Sequence, residues 1–124
     1  MRAKEDADPI FTEADVCAYA DLYVDAGDRS HPLASPVFAD LSGLPPLLVQ
    51  VGANEVLLDD AVRLAGRAGA ADVEATLEIG PSLPHVYQHE YGRLDEADAA
   101  LDRAARFLVS HLDAPVDPGH PRER

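Results

Sequence analysis

Residues 47–60, LLVQVGANEVLLDD, contain the clearest strand-to-helix transition in this chain. The segment opens with an almost continuous apolar run, which is typical of a strand that is buried on both faces in a parallel sheet. A glycine ends the run, and a short turn that carries Glu55 leads into the start of a helix. In open α/β folds the working side chains lie just beyond the carboxyl ends of parallel strands. Glu55 occupies such a position and is therefore a candidate functional residue.

Helical and strand-like patterns alternate through the rest of the chain. Residues 57–70 and 94–112 carry apolar residues at helical spacing, and residues 73–79 alternate apolar and polar residues as a half-buried strand does. An earlier helix is predicted over residues 12–24, followed by a long proline-rich loop over residues 25–46. The predicted buried face of the last helix consists of Leu94, Ala97, Leu101, Ala104, Ala105, Leu108 and Leu112. This order predicts an α/β fold with a strand-helix-strand-helix end and a right-handed crossover.

The sheet predicted from this pattern has two strands, which is thin for independent stability. Strands that are buried on both faces need neighbours on their open edges, so the chain resembles one end of a larger, mostly parallel, doubly wound sheet. Residues 1–112 are assigned to this single domain, and within them residues 1–11 are polar and expected to be loosely ordered. Residues 113–124 contain three prolines and mixed charge, and are predicted to form a disordered tail.

The composition excludes several classes of function. The 124 residues carry a formal net charge of −13, which argues against binding to nucleic acid or to anionic membrane surfaces, because both favour Lys and Arg. No apolar run approaches the roughly 20 residues of a membrane-spanning helix, so no membrane span is predicted. The single cysteine, Cys17, excludes an internal disulfide and is expected to be a small buried residue. The start MRAKEDADPIF is charged and unlike a secretory signal. These features favour a cytoplasmic location.

Glu55 and His85 each follow a predicted strand, so they can be neighbours in space. A carboxylate that accepts a hydrogen bond from a histidine ring fixes its tautomer, and the histidine then needs a hydroxyl or thiol to deprotonate. None of the five serines lies in a G-x-S-x-G turn, and spacing alone leaves open that Glu55 is an ordinary helix-start acid and His85 a loop histidine. No zinc site is predicted, because the HExxH signature would need a glutamate where Val86 stands between His85 and His89.

Two stretches carry a resemblance: HPLASPVFADLSGLPPLLVQVGANEVLLDDA at residues 31–61 and GPSLPHVYQ at residues 80–88. With the amphipathic helix that follows, they resemble the C-terminal third of the hormone-sensitive-lipase-like esterases, the α/β-hydrolase fold-3 group, over about residues 8–112. The resemblance implies an eight-stranded, mostly parallel α/β sheet and hydrolysis of carboxylic esters by a serine, an acid and a histidine, without a cofactor or metal. It implies that His85 is the catalytic histidine.

The acid is less strictly defined by the resemblance. The family commonly has an aspartate where Glu55 stands, and a second aspartate at the place of Asp59. Glutamate can serve the same purpose, so Glu55 is preferred as the catalytic acid and Asp59 is the alternative. Asp59 and Asp60 are expected instead to begin the helix, where their charge favours the helix dipole.

The serine turn and the HGG oxyanion loop of that family do not occur in this sequence. The expected function is therefore that of a carboxylic ester hydrolase fragment, of the esterase/lipase type, which contributes Glu55 and His85 and is inactive alone. Its expected partners are a small-molecule ester in an intact parent, and an N-terminal hydrolase half or a second copy at the open sheet edge. The alternative is a non-catalytic interaction module that binds a partner by strand addition at that edge.

Overall fold

The computed structural model describes residues 6–24 and 28–112. The predicted tail at residues 113–124 and a short part of the predicted loop lie outside these described residues. Helix α1, Glu13–Tyr23, begins with a capping box in which the Thr12 hydroxyl accepts from the Asp15 N–H and the Asp15 carboxylate accepts from the Thr12 N–H. The prediction of a helix over residues 12–24 is confirmed.

Two parallel strands form the sheet of the described chain. Strand β1, Leu47–Gly52, pairs in parallel with strand β2, Ala75–Gly80. Helix α2, Leu58–Ala70, connects them, and helix α3, Asp95–Leu112, follows β2 after a 3₁₀ turn at Tyr87–Glu90. The predicted strand-helix-strand-helix order is confirmed, and the chain has the α/β architecture that the sequence pattern indicated.

Strand β2 begins two residues later than predicted. Val73 donates its N–H to the Ala68 carbonyl, and Asp72 before it has a left-handed φ of 60°. These residues therefore close the C-terminal end of α2, and pairing with β1 starts only at Ala75.

Helices α2 and α3 contribute to two separate small cores. One is formed around Leu41, Ala68 and Val73, with Leu47 of β1 packed against it. The second lies around Tyr87, Ala97 and Ala100, with Leu83 and Leu94 packed against it. Successive strand residues point to opposite faces, so Leu47 faces the α2 core while Gln50 reaches α3. The sheet is thus covered by a helix on each face.

The predicted buried face of α3 is wrong over much of its length. Ala97 and Ala100 are fully buried, but the following residues of the predicted face are exposed: Leu101, Ala105, Leu108 and Leu112. The side chain of Gln50 in β1 donates to the Ala100 carbonyl at 2.8 Å. The inward row at this contact consists of Ala97 and Ala100, and the leucines that follow in the predicted face lie on the exposed side of the helix.

The outer edge of β1 is open. The N–H groups of Leu47 and Ala53 donate to carbonyls of the β2 segment, and by the alternation along a strand those of Leu48, Gln50 and Gly52 point to the opposite edge. Within the described chain the sheet consists of β1 and β2 alone, so no described strand pairs with this edge.

Helix α1 lies beside this edge and packs loosely. None of its residues is fully buried, and Cys17 is half-buried, contrary to the expectation of a buried cysteine. The reason is a groove of about 770 Å³ that separates α1 from β1 and α2. Among the described helices, none has the length and apolar character needed to cross a membrane.

Candidate active site

Glu55 lies in the turn that joins β1 to α2, and it is the most buried charged residue described. Its exposed fraction is 4%. The Oε2 atom accepts a hydrogen bond from the Gly52 N–H at 2.7 Å, and Oε1 lies 3.0 Å from Nδ1 of His85. Both carboxylate oxygens therefore have partners, which is what a buried carboxylate requires.

His85 lies in the loop that follows β2 and faces Glu55. Since a carboxylate only accepts hydrogen bonds, the proton between the two side chains belongs to Nδ1 of His85. The tautomer with Nδ1–H leaves Nε2 with a lone pair that can accept a proton from a hydroxyl group. The side chain of His85 is 29% exposed, so a small molecule can approach the ring. The structure thus brings together the two residues that the sequence singled out.

Gly52 allows His85 to approach Glu55, because the loop before His85 lies directly against this glycine. The Asn54 N–H donates to the Leu83 carbonyl at 3.0 Å and holds the loop over the end of β1. A Cβ atom at Gly52 would lie 2.2 Å from the carbonyl oxygen of Leu83 and 2.5 Å from that of Pro84. A residue with a side chain at this position would therefore push the histidine loop away from Glu55.

Asp8 also belongs to the site, although the sequence analysis did not single it out. Its Oδ2 accepts from the Val56 N–H at 2.8 Å, and its Oδ1 accepts from the N–H groups of Ile10 and Phe11 at 2.8 and 3.0 Å. Partial burial raises the pKa of Asp8, but the bonds from Phe11, Ile10 and Val56, with a smaller contribution from His85, lower that pKa below its ordinary value.

These bonds hold residues 6–11 in place, contrary to the expectation that residues 1–11 are loosely ordered; residues 1–5 lie outside the described residues. The ring of Phe11 packs edge-on against the ring of His85, with centroids 5.5 Å apart and planes at 72°. The signal in the sequence was local: aspartate before proline favours a turn in which the side chain accepts N–H groups two or three residues later. The long-range bond to Val56, 48 residues away, had no such signal.

Comparison with known proteins identifies the family. A family model described as the alpha/beta hydrolase fold matches residues 1–89. The chain belongs to this family. This member of the family is 44% identical over 95 residues to an acetyl-hydrolase of Streptomyces hygroscopicus. The aligned region covers 77% of this chain and 32% of the relative. The chain is 42% identical over 79 residues to an esterase of Acinetobacter venetianus, covering 64% of this chain and 26% of that relative.

Solved structures agree with this assignment. This chain superposes with a TM-score of 0.81 on an esterase from the bacterial hormone-sensitive lipase family, at 48% identity, covering 85% of this chain and 35% of the other. A hormone-sensitive lipase from a metagenome library gives a TM-score of 0.82 at 41% identity, over 88% of this chain and 38% of the other. The chain spans about a quarter to a third of the length of these two curated relatives, 26% of the esterase and 32% of the acetyl-hydrolase. The resemblance predicted from the two sequence stretches is confirmed.

In this member of the alpha/beta hydrolase family, the acid hydrogen-bonded to His85 is Glu55. Asp59, the alternative acid, lies with Asp60 in the first turn of α2, as expected for acids that suit a helix N-terminus. The catalytic assignment of either acid stays a prediction.

The turn after His85 is strained. Val86 has φ 51° and ψ 39°, in the left-handed region that a β-branched residue rarely adopts. Such a conformation costs about 1–3 kcal/mol and persists only where the surroundings hold it. The next residue, Tyr87, is buried against α3 and anchors the turn. Burial raises the pKa of the Tyr87 hydroxyl; Arg103 partly offsets this effect and the carboxylates of Glu78 and Glu55 add to it.

A polar network links the histidine loop to the sheet and to α3. The Gln50 amide donates to Glu78 and to the Ala100 carbonyl, each at 2.8 Å, and accepts from Gln88 at 3.2 Å. The Arg103 guanidinium donates to the other oxygen of Glu78 at 2.8 Å. Since Gln88 follows His85 by three residues, this network fixes the far side of the loop to β1 and supports the strained turn.

Proposed function

We propose that this chain contributes the acid and the general base of a carboxylic ester hydrolase, with Glu55 as the acid and His85 as the base. The observation that carries the proposal is the 3.0 Å contact between Oε1 of Glu55 and Nδ1 of His85 beyond the carboxyl ends of two parallel strands. The names of the relatives, an acetyl-hydrolase and an esterase, support ester hydrolysis as the reaction. The nucleophilic serine and the oxyanion donors come, in this proposal, from a segment outside these residues.

The proposed mechanism gives each side chain one task. As the serine oxygen attacks the ester carbonyl carbon, Nε2 of His85 takes the serine proton, and Glu55 stabilises the imidazolium that forms. The tetrahedral intermediate collapses when the C–O bond to the alcohol breaks, and His85 returns the proton to the departing alcohol oxygen. Water then attacks the acyl-serine, with His85 again as the base, and releases the carboxylic acid and the free serine.

The competing proposal is a non-catalytic interaction module. It is favoured by the open edge of β1, which can accept a strand from an N-terminal hydrolase half or from a second copy. Both proposals are compatible with a chain that is inactive alone, so an experiment on the isolated chain cannot separate them. The cytoplasmic location also stays a prediction.

A chimera tests the enzymatic proposal. The full 124-residue chain would replace the equivalent C-terminal part of the hormone-sensitive-lipase-family esterase with which it shares 48% identity. We expect the chimera to hydrolyse p-nitrophenyl butyrate, because the retained segment brings the serine and this chain brings the acid and histidine. A chimera that unfolds cooperatively yet hydrolyses no ester would contradict the enzymatic proposal and favour the interaction module.

The identity of the acid is tested by a pair of carboxylate-to-amide variants in the chimera. In Glu55→Gln, the amide oxygen can still accept from the Gly52 N–H, but the amide N–H then meets Nδ1 of His85 and favours the wrong tautomer. We expect kcat to fall by about 10²–10⁴-fold. The matched variant Asp59→Asn should change kcat by no more than about twofold. The reverse order of effects would assign the acid to Asp59.

A further inference from the structure

Asp8 accepts three backbone N–H groups and joins two parts of the site. Its Oδ2 accepts the N–H of Val56, the residue directly after Glu55, and Val56 has the most completely buried large side chain described, at 1% exposure. The other oxygen accepts the N–H groups of Ile10 and Phe11. The carboxylate therefore fastens the segment before α1 to the rigid turn that carries the acid.

The attached segment also carries Phe11, whose ring contacts His85. A histidine held by one hydrogen bond at Nδ1 keeps the freedom to tilt about that bond. The ring of Phe11 removes this freedom by packing edge-on against the imidazole, with centroids 5.5 Å apart. Phe11 also packs edge-on against Tyr19 of α1, at 6.1 Å, which supports it from behind. A continuous series of contacts around one turn thus links Asp8, Phe11, His85 and Glu55.

We propose that Asp8 is a positioning residue for His85: by binding the N–H groups of Val56 and Phe11 together, it holds the Phe11 ring against the imidazole and fixes the ring plane relative to Glu55. The catalytic consequence of this proposal rests on the proposed function. The Asp8 carboxylate itself does not touch the reacting atoms. Phe11 acts as the contact that Asp8 holds in place.

Histidine ring signals in NMR spectra of the full chain give a direct readout. The aromatic ring of Phe11 shifts the C–H resonances of His85 by its ring current, and Phe11→Leu defines the shifts without that contact. In Asp8→Asn, the side-chain oxygen can still serve Ile10 and Phe11, but the amide N–H₂ faces the Val56 N–H, so one donor meets another. We expect the His85 resonances of Asp8→Asn to move at least halfway to those of Phe11→Leu.

Asp40 offers a matched control. The Oδ1 atom of Asp40 accepts a hydrogen bond from the N–H of Ser42, two residues later, at 3.0 Å. The Oδ1 atom of Asp8 accepts from the N–H of Ile10 in the same way. Asp40→Asn makes the same chemical change in a similar turn and should leave the His85 resonances in place. His85 signals that stay in place in Asp8→Asn, while Phe11→Leu moves them, would overturn the proposal. If Asp8→Asn fails to fold, Asp8→Glu keeps the charge and tests whether the longer side chain disturbs the same resonances.

The catalytic consequence is measured separately in the chimera. Misplacement of a reacting group by about 1 Å lowers rates by up to about 100-fold, so we expect Asp8→Asn to lower kcat by about 10–100-fold with KM nearly unchanged. A variant that raises KM and leaves kcat intact would contradict positioning of His85. The NMR result does not require ester hydrolysis, so an inactive parent chimera would count against the proposed function while the resonances still decide the role of Asp8.

Discussion

Replacing His85 by alanine is expected to lower kcat of the chimera by about 10⁴–10⁶-fold, since loss of the general base removes almost all the catalysis that a triad contributes. The residual rate would reflect oxyanion stabilisation and substrate binding alone. The measurement is the steady-state hydrolysis of p-nitrophenyl butyrate, with active-site titration to count competent serines. KM should change far less than kcat, because the imidazole acts on the reacting proton rather than on the bound ester.

A second histidine of the same loop is the control for this variant. His89 lies in the 3₁₀ turn four residues after His85, and its side chain is exposed. His89→Ala should leave kcat within about twofold of the parent, as surface substitutions generally do. In the isolated chain, His85→Ala and the unchanged protein should hydrolyse the ester equally slowly. A clear difference between those two would reveal a nucleophile within these residues that we have not recognised.

The largest effect on stability is expected for Gly52→Ala. The new Cβ would lie 2.2 Å from the Leu83 carbonyl oxygen, and this neighbour is backbone that cannot turn aside as a flexible side chain can. Either β1 or the histidine loop must shift, and we expect the free energy of unfolding to fall by about 3 kcal/mol. Urea-induced unfolding followed by far-ultraviolet circular dichroism measures this change through the transition midpoint.

Gly66→Ala makes the same chemical change with the opposite expected sign. Gly66 lies in α2 and is exposed, and a Cβ there would meet no atom within 4 Å. Alanine in a helix interior is favoured over glycine by about 0.5–1 kcal/mol, so this variant should unfold at higher urea concentration. A Gly52→Ala variant as stable as the parent would show that glycine at the end of β1 is not required for the close approach of the loop.

The strand-helix-strand order and the approach of Glu55 to His85 were predictable for related reasons. Apolar runs and helical spacing are local properties of the sequence. Once β1 and β2 are recognised as parallel neighbours, topology places the turns that follow them at one edge of the sheet. Topology therefore predicts that Glu55 and His85 can be neighbours, whereas their pairing as acid and histidine was implied by the family resemblance and is seen directly only in the 3.0 Å contact.

Two features could not be predicted in this way. In α3, alanines and leucines follow overlapping helical rows, and which row packs inward depends on how closely the helix approaches Gln50 of β1. The turn that begins at Asp8 has a sequence signature, aspartate before proline. The hydrogen bond from the Val56 N–H to Asp8 has none, because it depends on where the segment before α1 lies in space. Both features depend on tertiary packing between distant segments, which periodicity does not describe.

The hydrogen bond from the Gly52 N–H to Glu55 Oε2 has a consequence for any strand that joins the open edge of β1. The outward N–H groups of Leu48 and Gln50 can donate hydrogen bonds to an added strand. The N–H group of Gly52 cannot, because it already donates to the Glu55 carboxylate. A strand that pairs with this edge can therefore accept hydrogen bonds from Leu48 and Gln50 but not from Gly52. The same carboxylate that lies beside His85 thus occupies the last N–H group that this edge of β1 could offer to a partner strand.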